Sequence, residues 1–177
     1  MILAVNSDVL GSYRALDLRG EIKIYWGIIW LVAEYLNLDL DALTCVVLAH
    51  ELAHAYTHLG ADIDRHRWDT EVFKRCETPL LEGLAQYYTW AICQALEPTL
   101  PGTRQAYERL LEKQPPAYHT HQGWVVGLSP EIVRLAMLEA RRSKIDKIAD
   151  FNAALKWSTE RLGSLLLGHT EISPIDF

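Results

Sequence analysis

The sequence is poor in cysteine, in long hydrophobic runs and in net positive charge, and each shortage excludes a class of protein. Its three cysteines are odd in number and widely spaced, so they fit neither a disulfide framework nor a thiol metal site, and buried free thiols are expected. The most apolar run, 24–33, is about half as long as a membrane span and predicts a core segment rather than a membrane protein. A formal net charge of -6 does not supply the basic face that nucleic-acid binding requires.

The N-terminal residues carry no basic region, and Asp8 interrupts them, so no secretory signal is expected and the chain is predicted to be cytoplasmic. Neither an internal repeat nor a long linker is evident, which favours a single domain over residues 1–177. One basic cluster is interpreted as the solvated face of a helix, and it comprises Arg141, Arg142, Lys144 and Lys147. Nothing in the sequence indicates an oligomeric state.

Hydrophobic periodicity predicts an α+β fold in which a small antiparallel hairpin packs on a mainly helical domain. The hairpin is expected over 9–16 and 21–25, and the proline-containing interval 114–128 is expected to be a loop. Helices are predicted over 27–36, 40–59, 80–96, 103–113, 130–142 and 144–161. The first helix is interpreted as buried, with Trp26, Trp30 and Trp90 as core aromatics.

The second predicted helix contains His50, Glu51 and His54 in the pattern HExxH. Residues four apart lie one turn apart on the same helix face, so both imidazoles can bind one metal ion. Zinc (Zn2+) suits imidazole nitrogen, and a catalytic zinc site has three protein ligands and one position for water. Glu51 is then placed to accept a proton from that water as it attacks a substrate.

Glu82, near the start of the next long helix, is the preferred third ligand, because a carboxylate on an antiparallel neighbouring helix can reach the same ion. Gly83 and Ala85 are small enough for the helices to approach closely. The elongated motif with a third histidine is excluded, since Thr57 and Gly60 occupy its glycine and histidine positions. Other candidate ligands remain, namely His58, Asp62, Asp64, His66 and Glu77.

His50 to His54 followed by Glu82-Gly83-Leu84-Ala85 resembles the gluzincins, the HExxH peptidases with a glutamate third ligand that include the thermolysin group. The resemblance implies a zincin-like fold, a zinc cofactor, and endopeptidase or aminopeptidase activity on a peptide or protein substrate. It also implies that the strand before the motif helix, here 21–25, binds extended substrate, although an ordinary edge strand explains the same residues.

Two gluzincin features are not clearly matched. Thermolysin-group members carry an aspartate one turn after the third ligand, where this sequence has Gln86; its amide oxygen is expected to accept an imidazole N–H. The oxyanion donor is sought in the cluster Tyr118, His119 and His121, with Tyr118 and His121 preferred as catalytic residues, although a polar surface loop fits the same residues.

The favoured hypothesis is a zinc metallopeptidase, with His50, His54 and Glu82 as metal ligands and Glu51 as the general base. The first alternative is a zinc-containing module that binds an extended segment without cutting it, and a fourth protein ligand such as His58 would favour it. A further alternative is metal-assisted hydrolysis of a bond other than the peptide bond.

Overall fold

The computed structural model describes residues 7–168, which form a mainly helical chain with one two-stranded antiparallel sheet, as the α+β prediction expected. The elements in chain order are α1 Ser7–Leu10, β1 Gly11–Leu16, β2 Arg19–Ile24, α2 Trp26–Leu36, α3 Leu40–Leu59, α4 Thr70–Arg75, α5 Thr78–Leu96, α6 Thr103–Leu111, a 3-10 helix Pro116–His119, α7 Gln122–Gly127, α8 Pro130–Arg142 and α9 Ile148–Gly168. Across the described range, no helix has both the length and the apolar character needed to cross a membrane.

The hairpin pairs Gly11 with Ile24 at its open end and Leu16 with Arg19 at its turn. A two-residue connection requires left-handed backbone in tight hairpins, and Leu18 has φ 56° there. The hairpin packs on α3. Within β1, Gly11 lies against Glu51 and Tyr13 stacks on His54.

Helix α3 begins and ends where the sequence predicted. Asp39 caps its first turn by accepting a hydrogen bond from the backbone N–H of Ala42 at 2.8 Å, and Gly60 follows its last residue. Its most extensive helix partner is α5, which has Pro79 in its first turn, where a missing N–H costs no hydrogen bond. These two helices position the candidate ligands.

Two apolar clusters flank the α3–α5 pair. One gathers buried side chains of α2, α3 and α6, including Ile29, Leu43 and Leu110. The other joins α4, α5, α8 and α9, including Phe73, Leu84 and Phe151. The site therefore lies between two cores, which restrains the side chains of both helices.

Several predicted boundaries were wrong. The interval 114–128 is not a loop throughout, since it contains the 3-10 helix and α7. Helix α4 was not predicted, and α9 begins at Ile148 rather than at residue 144. Helix α4, the 3-10 helix and α7 have too few residues for a periodic signal, which explains why sequence patterns miss them.

The prediction that the first helix is buried was also wrong. In α2 only Ile29, Val32, Ala33 and Leu36 are buried, whereas Trp26 and Trp30 are largely exposed. Trp90 is partly buried against the first core, as expected. An almost uniformly apolar helix carries no polar stripe in its sequence to mark which face meets solvent.

Arg141 corrects the interpretation of the basic cluster. Its side chain is buried, and Nε and Nη2 donate to the backbone carbonyls of Thr57 (3.1 Å) and Tyr56 (2.7 Å). Those carbonyls belong to the last turn of α3, where a cation is favourable, and the Tyr56 carbonyl also accepts from the backbone N–H of Gly60 at 2.9 Å. Arg141 therefore ties α8 to the end of the motif helix, while neighbouring Arg142 pairs with Asp64 at the surface.

Candidate metal centre

Three side chains converge between α3 and α5. Nε2 of His50 lies 3.2 Å from Nε2 of His54 and 3.2 Å from Oε2 of Glu82, and Nε2 of His54 lies 3.6 Å from the same oxygen. His50 and His54 stand one turn apart on the inner face of α3, and Glu82 reaches them from the first turns of α5. The three residues could hold a metal ion.

The protein environment keeps Glu82 ionised. Burial would raise the pKa of this carboxyl, but the hydrogen bonds and charge of His50 and His54 outweigh burial and hold the pKa well below its usual range. Its side chain is 13 % exposed, against 5 % for His50 and 11 % for His54. An anionic oxygen facing two imidazole nitrogens in a nearly closed space is a donor set suited to a divalent cation.

Glu51 follows His50 in α3 and is buried against the start of β1. A Cβ atom at Gly11 would lie 3.0 Å from Oε1 of Glu51 and 3.0 Å from Cγ1 of Val47, so a larger residue there would displace these side chains. Glu51 and His50 also line a cavity of about 10 Å3 together with Gln86 and Tyr107. That space suits one water molecule beside the carboxylate.

Each histidine of the motif has a tyrosine ring beside it. Tyr118, from the 3-10 helix, stacks on His50 with ring centres 5.9 Å apart and planes 23° apart. Tyr13, from β1, stacks on His54 with ring centres 6.2 Å apart and planes 13° apart. The structure thus brings predicted Tyr118 to the site and adds Tyr13, which the sequence reasoning did not single out.

His58 does not join the ligand group. Nδ1 lies 2.7 Å from the hydroxyl of Tyr13, and Nε2 lies 2.9 Å from Oγ1 of Thr70. The ring is fully buried and stacks on Phe73, and burial followed by nearby cationic side chains lowers its pKa. Both ring nitrogens are engaged, so His58 supports Tyr13 instead of coordinating metal.

His121 is likewise engaged inside the protein. Nδ1 donates to the backbone carbonyl of Tyr118 at 2.9 Å, so Nε2 accepts from the hydroxyl of Tyr107 at 2.6 Å. Burial lowers the pKa of His121 to about 4, which keeps the ring neutral near pH 7. These two hydrogen bonds leave neither nitrogen to donate to an oxyanion, so the arrangement favours a structural role. Its neighbour His119 lies 3.3 Å through Nε2 from the carbonyl of Gln114.

Gln86 takes a different partner from the one predicted. Its amide nitrogen donates to Oε1 of Gln114 at 2.9 Å, and its own Oε1 has no hydrogen-bond partner among the described residues. The expectation that this oxygen accepts an imidazole N–H is therefore wrong. Gly83 also differs in role, because a Cβ atom there would lie 2.8 Å from Trp124 and 3.1 Å from Thr120, both in the segment that carries Tyr118.

The remaining candidate ligands have other partners. Asp62 pairs with Arg134 and Asp64 pairs with Arg142. Glu77 accepts a hydrogen bond from the backbone of Ile148, and exposed His66 contacts Asp64. Within residues 7–168, the ligand cluster therefore contains His50, His54 and Glu82.

Tyr13 and Tyr107 are the site neighbours that sequence reasoning missed. Alternation along the first strand could have placed Tyr13 on the face turned toward the helices. Its contact with His58 spans 45 positions of sequence, however, and no local pattern reports such a distance.

Comparison with known proteins returned no matching family description, no matching curated protein and no matching solved structure.

Proposed function

We propose that this chain is a zinc-dependent peptidase with a zincin-like fold, in which His50, His54 and Glu82 hold the metal. The observation that carries the proposal is the convergence of two imidazole nitrogens and one carboxylate oxygen at separations of 3.2, 3.2 and 3.6 Å. A tetrahedral site with bonds of about 2.0–2.1 Å has edges of roughly 3.3 Å between neighbouring ligand atoms. The three separations in the structure are close to those edges, so metal binding would require little movement of either helix.

The residues around the ligands suit hydrolysis. Zinc, when bound, would lower the pKa of water and polarise a substrate carbonyl. Glu51 is buried beside His50, and its carboxylate would accept a proton from the attacking water. The same carboxylate would then deliver the proton to the amine as the peptide C–N bond breaks, so the proton is conserved. Tyr118, stacked on His50, remains our candidate for stabilising the oxyanion.

Substrate binding is proposed to use the hairpin. The predicted strand 21–25 lies largely within β2, whereas the contacts with Glu51 and His54 come from Gly11 and Tyr13 of β1. An extended peptide paired with the outer edge of β1 would therefore lie nearer the ligands than one paired with β2, held by main-chain hydrogen bonds that are independent of its sequence.

A zinc-containing binding module is the second candidate, and the burial of Glu51 is the observation in its favour. The number of protein ligands argues the other way. His58, the expected fourth ligand of such a module, is occupied by Tyr13 and Thr70. Three protein ligands leave one coordination position for substrate or water, which is the pattern of catalytic zinc sites.

The test combines metal analysis with two variants. The purified chain should contain one zinc per molecule by elemental analysis and should cleave a mixed peptide library, read by mass spectrometry. Glu51→Gln should keep the zinc and lose cleavage, while His54→Ala should lose the zinc. His66→Ala and Glu131→Gln are matched controls, because both residues lie outside the cluster.

The outcomes separate the candidates. A chain that binds no zinc would overturn the metal site. Zinc binding without cleavage, together with peptide capture that Glu51→Gln leaves unchanged, would assign the module. Cleavage of ester or amide substrates other than peptides would assign a different hydrolase.

A further inference from the structure

Helix α2 presents a broad apolar surface to solvent. Six large apolar or aromatic side chains of this helix and its N-cap are exposed beside Gly27 and Glu34, and their exposed fractions are Tyr25 39 %, Trp26 60 %, Ile28 38 %, Trp30 46 %, Leu31 58 % and Tyr35 63 %. Together they expose roughly 600 Å2, given that a large aromatic side chain contributes about 150–250 Å2 when fully accessible. This equals or exceeds the largest apolar patch of a typical monomer, at about 300–600 Å2, which indicates a covered surface in the working protein.

The chemistry of this surface disfavours an anionic lipid bilayer as its partner. Helices that lie on membranes carry lysine and arginine on their polar face, which attract anionic headgroups. Residues 25–36 contain no lysine or arginine, Glu34 is their single charge, and the chain has a net charge of -6. Headgroup attraction is therefore missing, although the apolar side chains are present.

The surface is instead suited to a copy of itself. A twofold interface brings the same patch of both subunits together, so it needs no complementary charge. Interface cores are enriched in tryptophan and tyrosine and depleted in charge, which describes this helix. Two such faces would bury at most about 1,200 Å2 in total, the lower end of the range for a specific interface, so a weak dimer that dissociates on dilution is expected.

The backbone of α2 allows close helix packing. Trp26, Trp30 and Glu34 form one ridge at four-residue spacing, and Gly27, Leu31 and Tyr35 form the next. A Cβ atom at Gly27 would meet nothing within 4 Å, so the groove between the ridges is open there. Glu34 is exposed one turn after Trp30 and Leu31 on the same face, so a crossing centred near Leu31 must tilt both copies of its carboxylate toward water.

We propose that the chain forms a homodimer through the exposed face of α2, with Trp30 and Leu31 at its centre. The interface lies on the side of α2 opposite Ile29, Val32, Ala33 and Leu36, which bury against the subunit's own core. It depends on no metal, so its test is independent of the proposed peptidase activity.

Sedimentation velocity of the full chain between about 1 and 100 µM would test the proposal. The wild-type protein should shift with concentration from 20.2 kDa to twice that mass. Leu31→Glu and Trp30→Glu should each weaken association at least tenfold, because a charge would be buried in an apolar interface. Val126→Glu, at an 89 % exposed apolar position on α7, should leave the dimer unchanged.

Circular dichroism would establish that each variant is folded, as expected for substitutions at exposed positions. A wild-type protein that stays at 20.2 kDa throughout would overturn the proposal. A Leu31→Glu variant that still dimerises like wild type would overturn it equally. Monomeric protein that binds phosphatidylcholine–phosphatidylserine vesicles through Trp30 would assign the surface to lipid and reject the dimer.

Discussion

The hydroxyl of Tyr13 lies 2.7 Å from Nδ1 of His58, while the ring of the same tyrosine stacks on His54. His58 is fixed in turn by Thr70 and Phe73. One tyrosine of the hairpin is therefore held by the last turn of the motif helix and supports a candidate ligand one turn earlier. His58 follows His54 at the same four-residue spacing, but its ring nitrogens contact Tyr13 and Thr70, so it supports the site and is not a ligand.

Tyr13→Phe should lower the free energy of unfolding by about 1–3 kcal/mol, because it leaves buried Nδ1 of His58 without its partner. The aromatic ring over His54 is retained, so zinc affinity should fall less than in Tyr13→Leu. Urea denaturation and chelator competition would measure the two effects. Trp157→Phe is the control at an exposed aromatic residue outside the proposed dimer face, and equal stability of the two phenylalanine variants would contradict the prediction.

Arg141→Met should destabilise the fold by about 2–3 kcal/mol, whereas Arg142→Met should cost less than about 1 kcal/mol. The difference is expected because Arg141 is buried and donates to two carbonyls of α3, while half-exposed Arg142 makes one ion pair with Asp64, whose carboxylate also accepts from the backbone N–H of His66. Thermal or urea unfolding of the two variants gives the comparison. Similar losses in both would show that the buried hydrogen bonds contribute little.

Gly83→Ala should destabilise by about 1–3 kcal/mol, as overpacking does in a filled core. The added carbon would lie 2.8 Å from Cη2 of Trp124, which also packs on Phe151. Relief of that contact would move the segment that carries Tyr118 relative to His50. Gly163→Ala, in an open position of α9, should be neutral or stabilising by up to about 1 kcal/mol. The melting temperatures of the two alanine variants, each compared with the parent protein, would test the prediction.

The buried ring of His121 predicts a loss of stability in acid. Its folded pKa of about 4 lies below the unfolded value of 6.5, so the unfolded chain binds the proton first. The free energy of unfolding should fall by up to about 3 kcal/mol as the pH drops from about 6.5 to about 4. Outside that window, His121 should contribute little to any pH dependence.

His121→Gln should flatten this part of the stability profile, because glutamine cannot take the proton. Urea titrations of the apoprotein in chelator, at a series of pH values, would remove any contribution from metal loss. His66→Gln, at an exposed histidine, is the control. A parent slope that persists in His121→Gln would assign the acid sensitivity elsewhere.

Zinc at a hundred times its dissociation constant should stabilise the fold by about 2.7 kcal/mol, because it binds the native site and has no equivalent in the unfolded chain. Calorimetry with and without zinc would detect the shift. It should disappear in Glu82→Gln and His54→Ala and persist in His66→Ala. Stabilisation that survives in both cluster variants would place the metal elsewhere.

A feature of this fold could be predicted from the sequence when the residues that determine it lie close together in the chain. Helix α3 was predicted with its observed bounds, because its apolar period, Asp39 and Gly60 all lie within one stretch of chain. Glu82 could be proposed because its helix is long and its residue type suits metal. Both predictions needed only the pattern of neighbouring residues.

The errors concern partners distant in sequence. Arg141 and Arg142 are adjacent residues of the same type, yet only Arg141 is buried. It donates to carbonyls that lie 84 and 85 positions earlier in the sequence. The catalytic role of His121 stays a prediction, and the fold adds a partner that the sequence did not indicate, the Tyr107 hydroxyl on its second nitrogen. The exposed face of α2 was not predicted because apolar residues occur on all faces of this helix.

The candidate ligands are divided between α3 and α5, so a complete ligand set requires both helices to be formed and docked. A chain that has formed only α3 offers two imidazoles, and the carboxylate arrives when α5 docks across the intervening segment. An ion that needs all three ligands would therefore engage late, after the main folding barrier if the helix pair docks late. Bound zinc would then act mainly by slowing unfolding, giving the protein kinetic persistence rather than faster assembly.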